Sequence, residues 1–430
     1  MKKDKSGSRG SYAPMIIIGS LFFVFGFVTW VNSVLIPYFK LTCELSVKEA
    51  MLVAFAFYIS YFVMAIPSSL ILKKTGYKNG MMFGLFVMAA GALVFLPAAS
   101  TRAYPIFLLG LFIEAAGLTL LQTAANPYIT ILGPIESAAS RISIMGVCNK
   151  TAGAIAPLLL VGAIVKNPDE IDQVKTQLLT MTRIQQEQVL DELSSRLIMP
   201  YILMAVVLVC LGLTIKLAHL PDINDETSNA LPPSVPKENK SLLQHRHLVL
   251  GAIAIFCAVG VEVLAVDSII NYAQYTGLSF REAKYFATYT LLLMIASYCI
   301  GIFTIPKLIK QRNALMLSAT IGLLFSIIAI SIKGASSVWF IAFLGLGNAL
   351  LWPAIWPLSL EGLGKLTSRG SALLIMGVIG GGLLPLLYGA ISDAANPRIA
   401  YVVLIPLYLF ILYFSSSGYK SSYRSSRAQQ

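Results

Sequence analysis

Apolar residues run along this chain in long blocks, separated by short polar stretches rich in lysine and arginine. The blocks fall at about 15–39, 50–72, 81–99, 104–132, 141–165, 198–219, 247–275, 285–305, 314–332, 336–360, 371–392 and 398–414. Each is near the roughly 20 residues that an α-helix needs to cross the hydrocarbon of a bilayer. The pattern predicts an all-α membrane protein with twelve transmembrane helices, and an even count returns both termini to one side. Two longer polar segments interrupt it. Residues 220–246, with LPPSVPKENK inside, read as a flexible linker between span six and span seven. Residues 166–197, rich in Gln, Asp and Glu, read as a short helical excursion on the opposite side. The predicted organisation is a polar tail 1–14, a six-helix bundle 15–219, the linker 220–246, a second six-helix bundle 247–414 and a tail 415–430.

The two bundles are weakly repeated. A shift of 228 residues places Gly117 on Gly345, Leu132 on Leu360, Ser140–Arg141 on Ser368–Arg369, Ser143 on Ser371, Gly153 on Gly381 and Pro157 on Pro385. One register carries all of these, so spans four and five correspond to spans ten and eleven. Two six-span pseudo-repeats joined by a linker are the architecture of a parallel-repeat transporter.

Composition supports the membrane reading. The 430 residues are 57% hydrophobic and only 12% charged, against about 25% charged in ordinary globular domains, and mean hydropathy is +0.76. The net charge of +12 is a matter of placement. The tails and the loops on their side hold nineteen Lys and Arg, and the opposite loops hold eleven, four of them in the long loop 166–197. By the positive-inside rule both termini are cytoplasmic. The charge is therefore a topology signal, and no nucleic-acid partner is indicated. The N-terminal MKKDKSGSRGSYAPM reads as a tail, not a cleaved signal peptide. The five cysteines are scattered without CxxC, so neither a disulfide framework nor a metal site is expected.

Polar groups in hydrocarbon are costly and normally face a bundle interior or a wet cavity. The spans carry Asn32, Gln122, Asn126, Asn149, Asn271, Gln274 and Asn348. Gln122 and Asn126 are four apart, on one helix face, and Pro127 then removes a backbone donor. Asn348, Trp352 and Trp356 make another four-residue ladder, and three of the four tryptophans (Trp30, Trp352, Trp356) lie near these amides. For any one amide, interhelical bonding is an equal reading. As a set they suggest a cavity, because an amide both donates and accepts and an indole face suits the C–H face of a pyranose. The candidate substrate contacts are Asn32, Gln122, Asn126, Asn149, Asn271, Asn348 and Trp352. No arginine cluster lies at mid-membrane, which favours a neutral polyol over an anion.

Intramembrane ionisable residues are functional candidates. Glu114 and Lys150 both fall roughly 13–15 Å deep at 1.5 Å per residue, which suggests an ion pair between them. Glu262 lies near mid-membrane in span seven with no basic partner near it in sequence, and reads either as a site that binds and releases a proton or as a protonated, hydrogen-bonded core acid; with Glu114 and Asp267 it makes the set of proton-coupling candidates. Asp267 sits nearer the exterior on the face of Asn271 and Gln274, in or close to water. The three histidines, His219, His245 and His247, flank the linker and read as solvated. A membrane enzyme would gather acids, histidines or metal ligands at one face, so no catalytic or metal residue is assigned and the chain is not read as an enzyme.

Three stretches carry a resemblance. FGFVTWVNSVLIPYFK at 25–40, GLTLLQTAANPYITILGP at 117–134 and ESAASRISIMGVCNKTAGAIAP at 136–157 resemble the fucose/proton symporter family of the major facilitator superfamily, and most of all its glucose/galactose transporter branch. The superfamily's loop motif between spans two and three survives only as SLILKKTG at 69–76, with Lys73 in place of its acid. The resemblance implies secondary active uptake of a hexose by alternating access, usually driven by protons, in a bacterial inner membrane. It implies no cofactor and no obligate protein partner, and it gives Asn32, Asn126 and Asn149 a cavity-lining role. Two departures bear on coupling: Ser33 stands where the fucose branch has an aspartate, and Gln122 where it has a glutamate. Sodium coupling, uniport, another neutral saccharide such as fucose or an N-acetylhexosamine, and a membrane sugar sensor stay open at this stage.

Overall fold

The computed structural model of the chain describes residues 13–45, 47–132, 134–164, 170–218, 242–278 and 280–420, and among them there is no strand. Most of both tails and of the predicted linker, residues 1–12, 421–430 and 219–241, lie outside the described residues. Nine of the described helices are long and apolar enough to cross a membrane, one of them 50 residues long.

That helix holds two spans. Spans two and three lie in one run, Val47–Thr101, broken at Gly76. Gly76 has φ +75 and ψ 170, a conformation open to glycine and strained for other residues. The remaining spans match the apolar blocks closely: Ala13–Thr42, Tyr104–Ile131, Ala138–Ile164, Ile198–Leu217, Arg246–Asp267, Phe280–Thr304, Gln311–Ser331, Ser336–Leu360, Thr367–Ala394 and Pro397–Ser416. The excursion predicted at 166–197 forms two helices, Glu170–Leu178 and Arg183–Ser195. They are pinned onto the first bundle by the Tyr38 hydroxyl donating to Leu193 O at 2.6 Å and the Ser194 hydroxyl donating to Ala99 O at 2.8 Å.

Several spans are broken where the apolar pattern is silent. Span ten is interrupted between Asn348 and Leu351, where Pro353 cannot donate to the Ala349 carbonyl. Span seven breaks at Ser268 before a short helix Ile269–Tyr275. Span eleven passes through a 3-10 turn at Gly377–Ile379. The sequence repeat has a structural counterpart. A 3-10 turn follows span four at Ile135–Ser137 and span ten at Gly364–Leu366, within one residue of the same register. The repeated glycines mark close helix approaches in both halves: a Cβ on Gly117 would lie 2.5 Å from Gly84 O, and one on Gly345 would lie 2.4 Å from Thr290 O.

Large apolar side chains such as Leu203, Ile300 and Phe303 are exposed around the outside of the bundle. A water-facing surface rarely carries so many; here they face lipid. Inside, hydroxyls bond their own helix. Thr119, Thr123 and Thr130 donate to carbonyls four residues back at 2.7 to 2.8 Å, which keeps polar atoms satisfied without water.

Candidate functional site

Between the halves lies a cavity walled by spans one, two, four and five from the first and by spans seven, eight, ten and eleven from the second. Three polar features define it.

The first is the span-four face. Gln122 lines the cavity and donates from Nε2 to the Tyr61 hydroxyl of span two at 3.1 Å. Asn126, one turn on, is fully buried beneath it. Its Nδ2 donates to Gln122 O at 2.9 Å and its Oδ1 has no partner. The span stays helical through Pro127, and its last carbonyls are capped from span five. Arg141 donates to Ile129 O at 3.0 Å, Thr130 O at 2.8 Å and Pro134 O at 3.0 Å. A guanidinium there both fills orphan acceptors and suits the negative end of the helix dipole.

The second feature is aromatic. Trp30 of span one and Trp352 of span ten line the cavity, one from each half. Trp30 is wedged against Gly153, where a Cβ would lie 2.4 Å from the indole. Trp352 stacks on Trp356 with ring centroids 5.2 Å apart. Tyr58, Tyr61 and Tyr298 line it too, with Phe22 and Phe25; the spacing of the tyrosines carried no signal that separated them from interfacial ones.

The third is charge. Lys150 of span five and Glu262 of span seven both line the cavity and form an ion pair across the halves. The Lys150 ammonium also lies 4.8 Å from the centroid of the Trp30 ring. This corrects the pairing expected from depth. Glu114 does not meet Lys150: it is buried among spans three, four and six, beneath Gly91 and within electrostatic reach of Tyr201, with Oε1 unpartnered. Depth along a helix fixes height in the membrane but not the direction in which a side chain leaves the helix. Glu262 in turn has a basic partner, supplied by a span 112 residues away.

The other candidates divide. Asn149 lines the cavity, with Nδ2 donating to Phe22 O at 3.4 Å. Asn348 is buried as a junction of three spans: it donates to Val261 O at 3.2 Å and accepts from the Tyr408 hydroxyl at 2.5 Å. Asp267 and Asn271 are exposed at the end of the bundle, with Gln274, and Asp267 remains within electrostatic reach of Lys150 and Glu262. The side chain of Asn32 lies outside the described residues. One histidine departs from expectation: His247 is buried, its Nε2 3.1 Å from Glu361 O, so it fastens the start of span seven to the end of span ten.

At the end bearing the basic loops the halves are joined. The Ala139 N–H donates to Gln311 Oε1 at 2.8 Å and the Ser140 hydroxyl donates to Ile302 O at 3.1 Å. Deeper in, Gly146 of span five lies against the Tyr298 ring, where a Cβ would be 2.5 Å away.

Two six-helix halves around a central cavity, joined at one end, are the architecture of a polytopic membrane transporter. The family is shown by sequence: residues 18–381 match the Major Facilitator Superfamily model, and the chain belongs to that superfamily. It is similar to a glucose/galactose transporter of Brucella abortus, 33% identical over 404 residues and covering 93% of each chain. It is also similar to the L-fucose-proton symporter of Escherichia coli, 31% identical over 430 residues, 97% of this chain and 95% of the relative. The solved structure of the Escherichia coli fucose:proton symporter matches with a TM-score of 0.80 at 28% identity, covering 94% of this chain and 98% of that one. A second structure, described as in the outward conformation, matches with the same TM-score.

Proposed function

We propose that this chain takes up a neutral hexose of the glucose/galactose type by alternating access, in symport with protons, across a bacterial inner membrane with both termini in the cytoplasm. The observation that carries the reading is the cavity itself. Amides at Gln122 and Asn149 and an indole from each half line one space between two six-span bundles. Amides match hydroxyls as donors and acceptors, and indoles match the C–H face of a pyranose. The names of the relatives support the sugar class.

In this reading Gln122, Asn149 and Trp352 touch the sugar, joined by Asn32, and Asn126 holds the span-four face in place. Asn348 organises spans seven, ten and twelve behind the cavity, and Asn271 lies at its outer approach. Glu262 carries the coupling proton, Asp267 stands on its route from the exterior, and Glu114, walled off from the cavity, has no part in coupling. The reading needs no metal, cofactor or obligate protein partner. The excess of Lys and Arg on the joined end supports placing that end in the cytoplasm, which makes this arrangement closed to the inside.

Uniport is a second reading with its own observation. Ser33 and Gln122 replace the acids of the fucose branch, and Lys150 already neutralises Glu262. Counterflow of labelled galactose and glucose in proteoliposomes tests the sugar class, with fucose and N-acetylglucosamine as competitors. Exchange of glucose or galactose is expected. Exchange only with the competitors would move the substrate class, and exchange with none would remove the transport reading. An imposed inward proton or sodium gradient then separates symport from uniport.

A further inference from the structure

The Lys150–Glu262 pair raises a question of its own. Its side chains are 5% and 19% exposed, and taking two charges this far out of water is costly unless other contacts offset it. Both side chains face the cavity, and they come from different halves. The cavity amides each spend one N–H within their own half, Gln122 on the Tyr61 hydroxyl and Asn149 on Phe22 O, and keep further capacity for a ligand. The pair still has capacity, because an ammonium holds three donors and a carboxylate about four acceptor sites.

We propose that Lys150 and Glu262 are the charged anchors of the sugar, and that a vicinal diol enters the ion pair and bridges it. One hydroxyl oxygen accepts from the Lys150 ammonium, and the neighbouring hydroxyl donates to the Glu262 carboxylate. A diol is suited to this because each hydroxyl both donates and accepts, so both charges stay satisfied without direct contact. Trp30, held in place by Gly153 and lying beside the ammonium, then supplies the plate on which the pyranose rests. The substrate class narrows to neutral sugars with two adjacent free hydroxyls. Recognition also becomes a contact between halves: the sugar ties span five to span seven through both charges, so filling the cavity and drawing the halves together are one event. This inference rests on the reading of the cavity as a sugar pathway.

The test is binding by the full chain in lipid nanodiscs, followed by calorimetry, with D-galactose, D-glucose and their monodeoxy analogues at each ring position. In the wild type, removing either of two adjacent hydroxyls is expected to weaken binding about tenfold or more, the scale of a lost hydrogen bond to a charged group. Lys150→Met and Glu262→Gln are each expected to weaken binding of the parent sugar by a similar factor. Each variant should also cease to discriminate against one deoxy position, and the two positions should be neighbours. Variants that bind as tightly as the wild type, or that still discriminate against every deoxy analogue, overturn the proposal while leaving the sugar pathway standing. A wild type that transports and binds no hexose removes both. Should Lys150→Met fail to fold, Lys150→Arg and Glu262→Asp keep each charge but move it. They should blunt discrimination at one position each, and unchanged discrimination would count against the bridge.

Discussion

Glu114 and Glu262 sit at similar depths in their spans, yet they lie in opposite kinds of surroundings. Glu114 is walled in where spans three and four pack backbone to backbone, with Gly91 pressed against the Glu114 backbone and Tyr201 of span six within electrostatic reach. Glu262 faces the space between the halves and meets Lys150 there. The first region is built to stay still, since glycine lets its helices approach and the cavity between the halves is not lined by it. The second is built to change, because its ion pair and its Gly146–Tyr298 contact both cross the boundary that alternating access must move. On the proposed reading, an acid in the membrane couples transport or holds the fold according to the boundary it faces, and depth alone does not decide it.

Substituting the two glycines breaks the comparison most sharply. A Cβ on Gly91 would lie 2.5 Å from the Glu114 backbone nitrogen, and one on Gly146 would lie 2.5 Å from a Tyr298 ring carbon. Gly91→Leu is expected to abolish folded protein, judged by size-exclusion yield, because backbone cannot move aside. Gly146→Leu is expected to fold and to lose transport, because it obstructs closure between halves without touching either core. Residues at the joined end should lose protection as that end is forced apart, as cysteine labelling from each side would show.

Within the cavity, Gln122→Ala is expected to weaken sugar binding about tenfold with folded yield intact, which titration calorimetry reads directly. Asn126→Ala should act through Gln122 and cost less affinity and more stability. In the seam, Tyr201→Phe removes a buried hydroxyl that has no partner. It is expected to leave transport unchanged and to leave stability equal or higher by about 1 kcal/mol, read from a thermal melt. A melt lowered by several degrees would show that the hydroxyl has a partner after all.

The smallest effect belongs to the two helices between spans five and six. Arg183 and Glu44 make a two-pronged pair at 2.7 and 3.0 Å on the surface, and hydrogen bonding to Arg183 holds the Glu44 carboxyl below the usual carboxylate range. A lowered carboxylate contributes its stability above its unfolded value and loses it as pH falls through the lowered one. Arg183→Gln should therefore matter at neutral pH and above and cease to matter on acidification, and slightly, since exposed pairs contribute little. A change in transport at any pH would show that these helices take part in the cycle.

Much of this was legible in the sequence. Twelve apolar blocks gave the spans to within a few residues, because hydrocarbon thickness sets their length. Pro353 marked the break in span ten, whereas those in spans seven and eleven were not legible, since they lie inside apolar stretches with no proline at the break. At the site, Gln122, Asn149 and Trp352 were recognisable as cavity residues from their polarity within apolar runs. Lys150 and Glu262 were recognisable as unusual but not as partners, because 112 residues and a half-boundary separate them. Asn348 carried the same signal as Gln122 and turned out to be a junction of spans. An amide's type does not reveal whether its neighbours are helices or substrate.

The most direct test sets the two acids side by side: accumulation of labelled galactose in proteoliposomes under an inward proton gradient, for the wild type, Glu262→Gln and Glu114→Gln. The account predicts that the Glu262 variant falls to the level of vesicles without a gradient, while the Glu114 variant accumulates within about twofold of the wild type, a difference of under about 0.5 kcal/mol. Loss in the Glu114 variant with accumulation intact in the Glu262 variant would contradict it, and would place the coupling site in the packed seam instead of the cavity.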